Sequence, residues 1–157
     1  MTATDTSLRL AKAAALAAES KIAERVMAID VSEQMPLTDV FVLASAATER
    51  QVAAIVDEVE DRLRELGCKP IRREGQREGR WVLIDFGDII VHVQHEDERE
   101  YYALERLWKD CPEVDLSAIE APARPSSLHE PAGHERDEER DEERDDAAAQ
   151  VAEDPGA

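Results

Sequence analysis

The sequence predicts an α/β fold of the α+β kind, a single domain in which a mixed sheet is flanked by helices. Two patterns carry this prediction. Apolar residues spaced three to four apart are typical of helices that pack on a core, and short runs rich in β-branched residues are typical of strands. They follow one another in the order α-β-β-α-(β)-β-β-α, for which we expect antiparallel neighbours and at most three layers. The 157 residues suffice for one such domain and a tail.

The N-terminal part of the chain is predicted to form one helix and two strands. An apolar stripe over residues 8–28 predicts the helix, with Ser7 as its N-cap, and the alanines in this stripe would let a sheet pack closely against it. Val26–Val31 is predicted as a short strand that ends in a turn. Asp39–Ala46 is a continuous apolar run, which indicates a strand covered on both faces.

A second helix is predicted to follow this strand. Thr48 and Gln51 form a capping box at its start, and Gly67 lies where a glycine commonly ends a helix. A short strand is predicted near Lys69–Arg72, and the polar segment Arg72–Arg80 is predicted to be a loop.

The segment Trp81–Glu96 is predicted to be a hairpin that turns at Gly87, and a capping box at Asp97 begins a last helix that reaches about Trp108. With the turn at Gly87, paired residues of the two strands have numbers that sum to 173 or 175. These two registers differ by two residues, so both place the same side chains on each face. One face is apolar throughout and consists of Val82, Ile84, Phe86, Ile89, Val91 and Val93. The other face is mixed and consists of Trp81, Leu83, Asp85, Ile90, His92 and Gln94.

Acidic residues outnumber basic ones in both parts of the chain. Residues 1–116 carry 24 acidic and 15 basic side chains, and residues 117–157 carry 13 and 4, so each part has a net charge of −9 and the whole chain −18. We expect the folded domain to span residues 1–116 and a disordered acidic tail to span residues 117–157, because this tail has no apolar face to bury. The charge disfavours direct binding to nucleic acid or to anionic membranes and favours a basic protein as partner.

The two cysteines, Cys68 and Cys111, match no zinc-binding or redox spacing. The chain opens without the charged and apolar regions of a secretory signal, and no apolar run is long enough to span a membrane. We therefore expect a cytoplasmic protein with free thiols and without a cofactor.

Five side chains of the hairpin region are of types that bind zinc or iron: Asp85, Asp88, His92, His95 and Glu96. Their predicted placement argues against a metal site. Asp85 and His92 share a face, whereas His95 lies on the opposite face and Asp88 lies in the turn. Two ligands do not close a site, so no metal is predicted.

The order of the elements resembles that of nucleotidyltransferases, which carry a Gly-Ser turn and two carboxylates at positions i and i+2 of a strand. That spacing lets both carboxylates reach the same pair of metal ions. Here Asp39 takes the first position, but Phe41 takes the second and no Gly-Ser precedes them. One carboxylate cannot bridge two metal ions, so catalysis by this route is not expected, and a nucleotidyltransferase-like enzyme or a nucleotide-binding protein is kept as the alternative function.

The mixed face of the hairpin is either covered by the last helix or partly exposed as a binding surface. In the second case Trp81 beside the acidic Asp85 suits an interface with a basic partner. Tyr101 and Tyr102 point in different directions on the last helix, so at least one of them is expected near the surface.

Four blocks of the sequence resemble the Iojap/RsfS family, the ribosomal silencing factors. These blocks are Trp81–His92, Arg99–Trp108, Thr38–Ser45 followed by Arg50-Gln51, and Glu74-Gly75. The resemblance covers residues 7 to 115. It departs at Ala46-Ala47-Thr48, where the family commonly has a Gly/Ser-rich turn.

The resemblance implies a nucleotidyltransferase-like fold without the activity and a role in translation. It implies binding to a basic large-subunit ribosomal protein, the fourteenth, at the intersubunit face, which blocks joining of the two subunits when nutrients are short. It leaves open whether the chain forms a homodimer. The contact residues that it implies are Trp81, Leu83, Asp85 and His92, together with Tyr101 and Tyr102.

Overall fold

The computed structural model describes residues 2–123, in which helices and strands follow the predicted order. The elements are α1 (Asp5–Ser20), β1 (Glu24–Asp30), β2 (Val40–Ala46), α2 (Glu49–Glu65), β3 (Arg72–Glu74), β4 (Trp81–Asp85), β5 (Ile89–His95) and α3 (Glu96–Tyr102), with short 3-10 turns at Leu104–Arg106 and Leu116–Ala118. No helix in this range is long and apolar enough to cross a lipid bilayer. Most of the predicted acidic tail, residues 124–157, lies outside the described residues.

The five strands form one mixed sheet in the order β1-β2-β5-β4-β3. Strands β2 and β5 run parallel at its centre, and the other three neighbouring pairs are antiparallel. Trp81 pairs with Gln94 and Asp85 pairs with Ile90, so the paired numbers sum to 175, one of the two predicted registers. The predicted fold class, an α+β domain with a mixed sheet flanked by helices, is therefore confirmed.

The two faces of the sheet are covered in different ways. Helices α1 and α2 pack on one face, where Ala11, Ala14 and Ala17 are fully buried and let α1 lie close to the strands. Every residue of β2 is buried, as its continuous apolar run predicts. A smaller cluster around Phe41 and Leu43 covers the opposite face, and the mixed side of the hairpin belongs to this second face.

Helix α1 begins and ends earlier than the apolar stripe predicts. Its N-cap is Thr4, whose hydroxyl accepts a hydrogen bond from the backbone N–H of Ser7 at 3.1 Å, so the prediction of Ser7 as the cap is wrong. The chain leaves the helix after Ser20, and Ile22 has a left-handed backbone with φ of 63°. Val26 continues the helical spacing in the sequence, but it lies in β1 and packs on the same core from the sheet.

Both ends of α2 agree with the sequence. The Thr48 hydroxyl accepts a hydrogen bond from the N–H of Gln51 at 3.1 Å. Gly67 has φ of 81° and donates its N–H to the carbonyl oxygen of Arg64 at 2.9 Å. Strand β3 covers Arg72–Glu74, so it begins where the strand predicted near Lys69–Arg72 ends, and it occupies the start of the segment predicted to be a loop.

Helix α3 is shorter than predicted and has a different cap. His95 caps it, because its Nδ1 accepts a hydrogen bond from the N–H of Asp97 at 3.2 Å. The helix ends at Tyr102, since Ala103 takes a left-handed conformation with φ of 46°. Trp108 therefore lies beyond the helix, where the chain folds back over the second face of the sheet.

The segment after Trp108 forms part of the fold. The N–H of Asp30 donates to the carbonyl oxygen of Pro112 at 2.9 Å, and the N–H of Val114 donates to that of Ala28 at 2.8 Å. This segment pairs with the outer edge of β1. The Lys12 ammonium donates to the carbonyl oxygen of Leu116 at 2.8 Å, so the contacts reach the predicted end of the domain.

A chain that ends at residue 111 is expected to be less stable than one that ends at residue 123. The shorter chain loses the two backbone hydrogen bonds to β1 and the apolar contacts of Val114 and Leu116 with the core. We expect a loss of about 3 kcal/mol in the free energy of unfolding. Urea unfolding of the two chains measures this difference, and equal midpoints would contradict the structural role of the segment.

Candidate partner-binding surface

Four aromatic rings follow one another across the second face of the sheet. The Trp81 ring meets His92 edge-on, with centroids 4.2 Å apart and an interplanar angle of 89°. His92 lies 6.0 Å from the Phe41 ring, which lies 6.1 Å from Trp108. The two longer distances are typical of aromatic pairs that stabilise one another, and Trp81 lies closer still to His92, so the rings form one continuous row. We call the exposed parts of this face, around Trp81, Leu83 and Asp85, the partner-binding surface, after the contact role that the sequence analysis expects of these residues.

The backbone around Trp81 is held from two sides. Trp81 begins β4, and the antiparallel register places it opposite Gln94 on β5. On its other side the loop after β3 passes so close that a β-carbon at Gly75 would overlap the Trp81 carbonyl oxygen. Gly75 also has φ of 81°, which favours glycine. The indole is therefore presented from an ordered backbone while it remains partly exposed.

Leu83 and Asp85 follow Trp81 along the same side of β4, and both are partly exposed. Leu83 packs against the cluster that contains Phe41 and Leu43. The carboxylate of Asp85 accepts a hydrogen bond from the N–H of Gly87 at 2.8 Å through Oδ1, which orders the turn of the hairpin. Asp85 thus shapes the hairpin and also contributes a negative charge to the partner-binding surface.

His92 lies beneath the partner-binding surface. It shares the face of Trp81, Leu83 and Asp85 as predicted, but its side chain is only 1% exposed. In this conformation it supports the Trp81 ring from beneath, and its expected role as a contact residue stays a prediction. Burial, with a smaller contribution from the positive charge of Arg99, lowers the pKa of His92 to about 4. The imidazole is therefore neutral at pH 7.

The two tyrosines of α3 differ in what the structure shows. Tyr101 is 82% exposed, so it stands at the surface as expected for at least one of the pair. For Tyr102 the structure describes only the backbone at the end of α3, and its expected role as a contact residue stays a prediction.

A buried polar layer lies between α3 and the sheet, and sequence patterns did not indicate it. Arg99 is 1% exposed and donates from Nη1 to the carbonyl oxygen of Arg25 at 2.6 Å. Its Nε lies 3.6 Å from a carboxylate oxygen of Glu105. Beside it, the side-chain polar atoms of Gln94 and His92 have no hydrogen-bond partner among residues 2–123. The signal for this layer was weak, because a charged residue in a polar helix normally indicates a solvated face.

Trp108 also packs on the second face of the sheet, which the sequence did not predict. The prediction placed it at the end of the last helix, whereas the structure packs it against Phe41 and Leu43. A tryptophan after a strongly polar segment was the only signal, and it does not say which side of the sheet the chain will cover.

The side chains considered for catalysis serve structural purposes. The carboxylate of Asp39 accepts hydrogen bonds from the Ser7 hydroxyl at 2.8 Å and from the Thr4 N–H at 3.2 Å, so it anchors the start of α1. Phe41, at the position of a second catalytic carboxylate, is buried. Burial raises the pKa of the Cys68 thiol, and the negative charge of Asp88 raises it further, which is the wrong direction for a nucleophile.

The metal-binding side-chain types of the hairpin do not converge. His95 caps α3, and Asp88 is exposed in the turn between β4 and β5. Within the part of the chain that the structure describes, no group of three or more histidine, cysteine, aspartate or glutamate side chains could hold a metal ion.

The fold and this face together define a small α+β domain with an aromatic surface on the side of the sheet opposite its two long helices. The chain belongs to the family described as ribosomal silencing factor during starvation, whose family model matches residues 4–145. That match continues past Leu116 into residues outside the described range.

Individual relatives agree with this assignment. The chain is 44% identical over 105 residues to the ribosomal silencing factor RsfS of Bacillus subtilis, covering 67% of this chain and 89% of that protein. A crystal structure of a protein from Bacillus halodurans superposes with a TM-score of 0.58 at 42% identity, over 65% of this chain and 92% of that one. The mouse protein named mitochondrial assembly of ribosomal large subunit protein 1 is 32% identical over 89 residues, covering 55% of this chain and 39% of that protein.

Proposed function

We propose that this chain binds the large ribosomal subunit at its intersubunit face and thereby prevents the small subunit from joining. The family resemblance implies the fourteenth large-subunit protein, a basic protein, as the partner. Two large surfaces cannot occupy the same place, so the bound chain blocks the bridge between the subunits sterically. Translation then falls in proportion to the occupied fraction of large subunits, which mass action sets.

The observation that carries this proposal is the aromatic, acid-flanked surface on a chain of this family. Trp81 is a large side chain that is already ordered by His92, so little conformational entropy is lost when a partner covers it. Tryptophan is also enriched among the residues that dominate binding energy at interfaces. Asp85 and the net charge of −18 favour a basic partner and speed its approach.

The proposal includes no catalytic step and no cofactor, and it places the action in the cytoplasm, where ribosomal subunits join. A nucleotidyltransferase-like enzyme is disfavoured because Asp39 is engaged by α1 and Phe41 is buried. Titration calorimetry with nucleoside triphosphates and Mg²⁺ tests this alternative. Micromolar binding accompanied by turnover would count against a purely steric regulator.

Sedimentation of purified ribosomal subunits in a gradient tests the proposed function directly. With saturating protein added before the subunits are mixed, we expect the joined-particle peak to shrink and the protein to travel with the large subunit. Protein that travels with the large subunit while the joined peak stays normal would contradict the steric mechanism. Protein that remains at the top of the gradient would contradict the binding itself.

A further inference from the structure

Carboxylates from two helices converge on Arg80, the last residue of the loop before β4. The guanidinium pairs with Glu98 through Nε, and it lies 3.3 Å from Glu49 and 3.7 Å from Asp97. Glu49 is the first residue of α2, whereas Asp97 and Glu98 lie in the first turn of α3. The Arg80 side chain therefore links the beginnings of both helices to the start of β4.

The backbone of Arg80 makes a further link. Its carbonyl oxygen accepts a hydrogen bond from the N–H of His95 at 2.8 Å, directly before α3 begins. Trp81 follows Arg80 in the chain and starts β4. The start of α3 and the main aromatic residue of the partner-binding surface are therefore coupled through a single residue.

The described side chains of α3 contribute polar rather than apolar contacts. The helix has seven residues, EDEREYY, and its Tyr101 is 82% exposed. Of the side chains from Glu96 to Tyr101, the one that is fully buried is Arg99, whose Nη1 donates to the carbonyl oxygen of Arg25. A helix of this length gains little stability from its own backbone, so its charged contacts contribute to its position.

Removal of the Arg80 charge would also leave like charges together. Glu49, Asp97 and Glu98 approach one another because each pairs with the same guanidinium. Without that guanidinium their mutual repulsion would favour movement of the short α3 away from α2, because α2 is held by its apolar face in the main core.

We propose that Arg80 is a positioning residue for partner binding: it fixes the start of α3, which carries the exposed Tyr101, against the start of β4, from which Trp81 is presented. This inference rests on the proposed function. The physical reason is preorganisation: a partner that contacts both elements loses less entropy when they are already held together.

The test replaces the charge and keeps the apolar stem. In Arg80→Met the ion pairs are lost, and in Arg80→Lys a positive charge remains for the same carboxylates. Arg64→Met is the matched control, because Arg64 is a half-exposed arginine that pairs with Asp61 near the other end of α2. It changes the net charge by the same amount and leaves α3 untouched, so it separates positioning from overall charge.

Two measurements are made on each variant: affinity for purified large subunits, and hydrogen exchange of the α3 amides. For Arg80→Met we expect about tenfold weaker binding and about tenfold faster exchange in α3, with exchange in β2 and β5 unchanged. We expect Arg80→Lys to recover most of both values and Arg64→Met to behave like the unmodified chain.

Several outcomes would overturn the inference. Unchanged exchange in α3 of Arg80→Met would show that Arg80 does not hold the helix, whatever happens to binding. Faster exchange with normal affinity would show that the position of α3 is irrelevant to the partner. If Trp81→Ala loses binding while Arg80→Met keeps it, only this inference fails; if the unmodified chain does not bind large subunits, the proposed function fails and the exchange data still decide whether Arg80 positions α3.

Discussion

Replacement of Trp81 by alanine is expected to weaken binding to the large ribosomal subunit by about thirtyfold or more, the effect of losing a central aromatic anchor. The indole is partly exposed and rests on His92, so its removal takes away contact area that is already ordered. The main core lies on the opposite face of the sheet, where Val82, Ile84 and Val91 are buried, so it keeps its packing. We therefore expect a folded variant with much weaker binding.

Leu37→Ala is the control for this variant. Leu37 is 86% exposed and lies in the segment before β2, so its replacement removes an exposed apolar side chain that is not among the expected contact residues. Affinity is measured by co-sedimentation over a range of subunit concentrations, and folding by circular dichroism and thermal unfolding. Normal binding by a folded Trp81→Ala variant would show that the proposed surface is misplaced.

The charge of Asp85 is expected to matter separately from its role in the hairpin. Asp85→Asn keeps a side-chain oxygen that can accept the Gly87 N–H, so it isolates the loss of negative charge, whereas Asp85→Lys reverses the charge. We expect Asp85→Asn to bind more weakly than the unmodified chain, and Asp85→Lys to bind more weakly still, because a lysine would repel a basic partner. The differences in affinity are expected to be larger at low salt. Equal affinities at low salt would argue against an electrostatic contribution from this position.

Acid is expected to destabilise the domain through His92. Its pKa is lowered to about 4 in the folded chain, chiefly by burial, while an unfolded chain has the ordinary value of about 6.5. Between pH 4 and pH 6.5 the unfolded chain binds more protons at His92 than the folded chain does. The contribution of His92 to stability is therefore fully present above pH 6.5 and is lost as the pH falls towards 4. The difference corresponds to about 3 kcal/mol of unfolding free energy.

His92→Gln isolates this contribution, because glutamine is polar but does not titrate. Urea unfolding of both chains from pH 7 to pH 4 measures it, and other acid-sensitive groups, such as Asp30, cancel in the difference between the chains. We expect the unmodified chain to lose stability more steeply with acid than the variant. Parallel curves, or a His92 imidazole that titrates near 6.5 by NMR, would contradict the burial of its neutral form.

Local patterns predicted most of the fold because the residues that decide each element lie close together in the chain. Thr48 and Gln51 cap the start of α2, and Gly67 lies just past its end; each acts within one turn of its own end of the helix. The two faces of the hairpin depend only on the parity of its register. The prediction that Trp81, Leu83, Asp85 and His92 share a face therefore agrees with the structure.

The errors occur where distant residues decide the outcome. The burial of Arg99 depends on the carbonyl of Arg25, 74 positions earlier in the chain, and this contact lies on the helix that ends sooner than predicted. Thr4 caps α1 in place of the predicted Ser7. The Ser7 hydroxyl instead donates a hydrogen bond to the carboxylate of Asp39, 32 positions away. No periodicity within a single element reports such contacts.

Local patterns were enough to predict the α+β class, the order of the elements and the sides of the hairpin, and four blocks of residues were enough for the resemblance to the family. Alternation and helical spacing act within one segment and do not depend on the rest of the chain. Contacts between distant elements place His92 under Trp81, pack Trp108 on the same face and let Arg80 join two helices to the sheet. The physical reason is that burial and ion pairing are properties of the space between elements, and the packing of the whole domain sets that space.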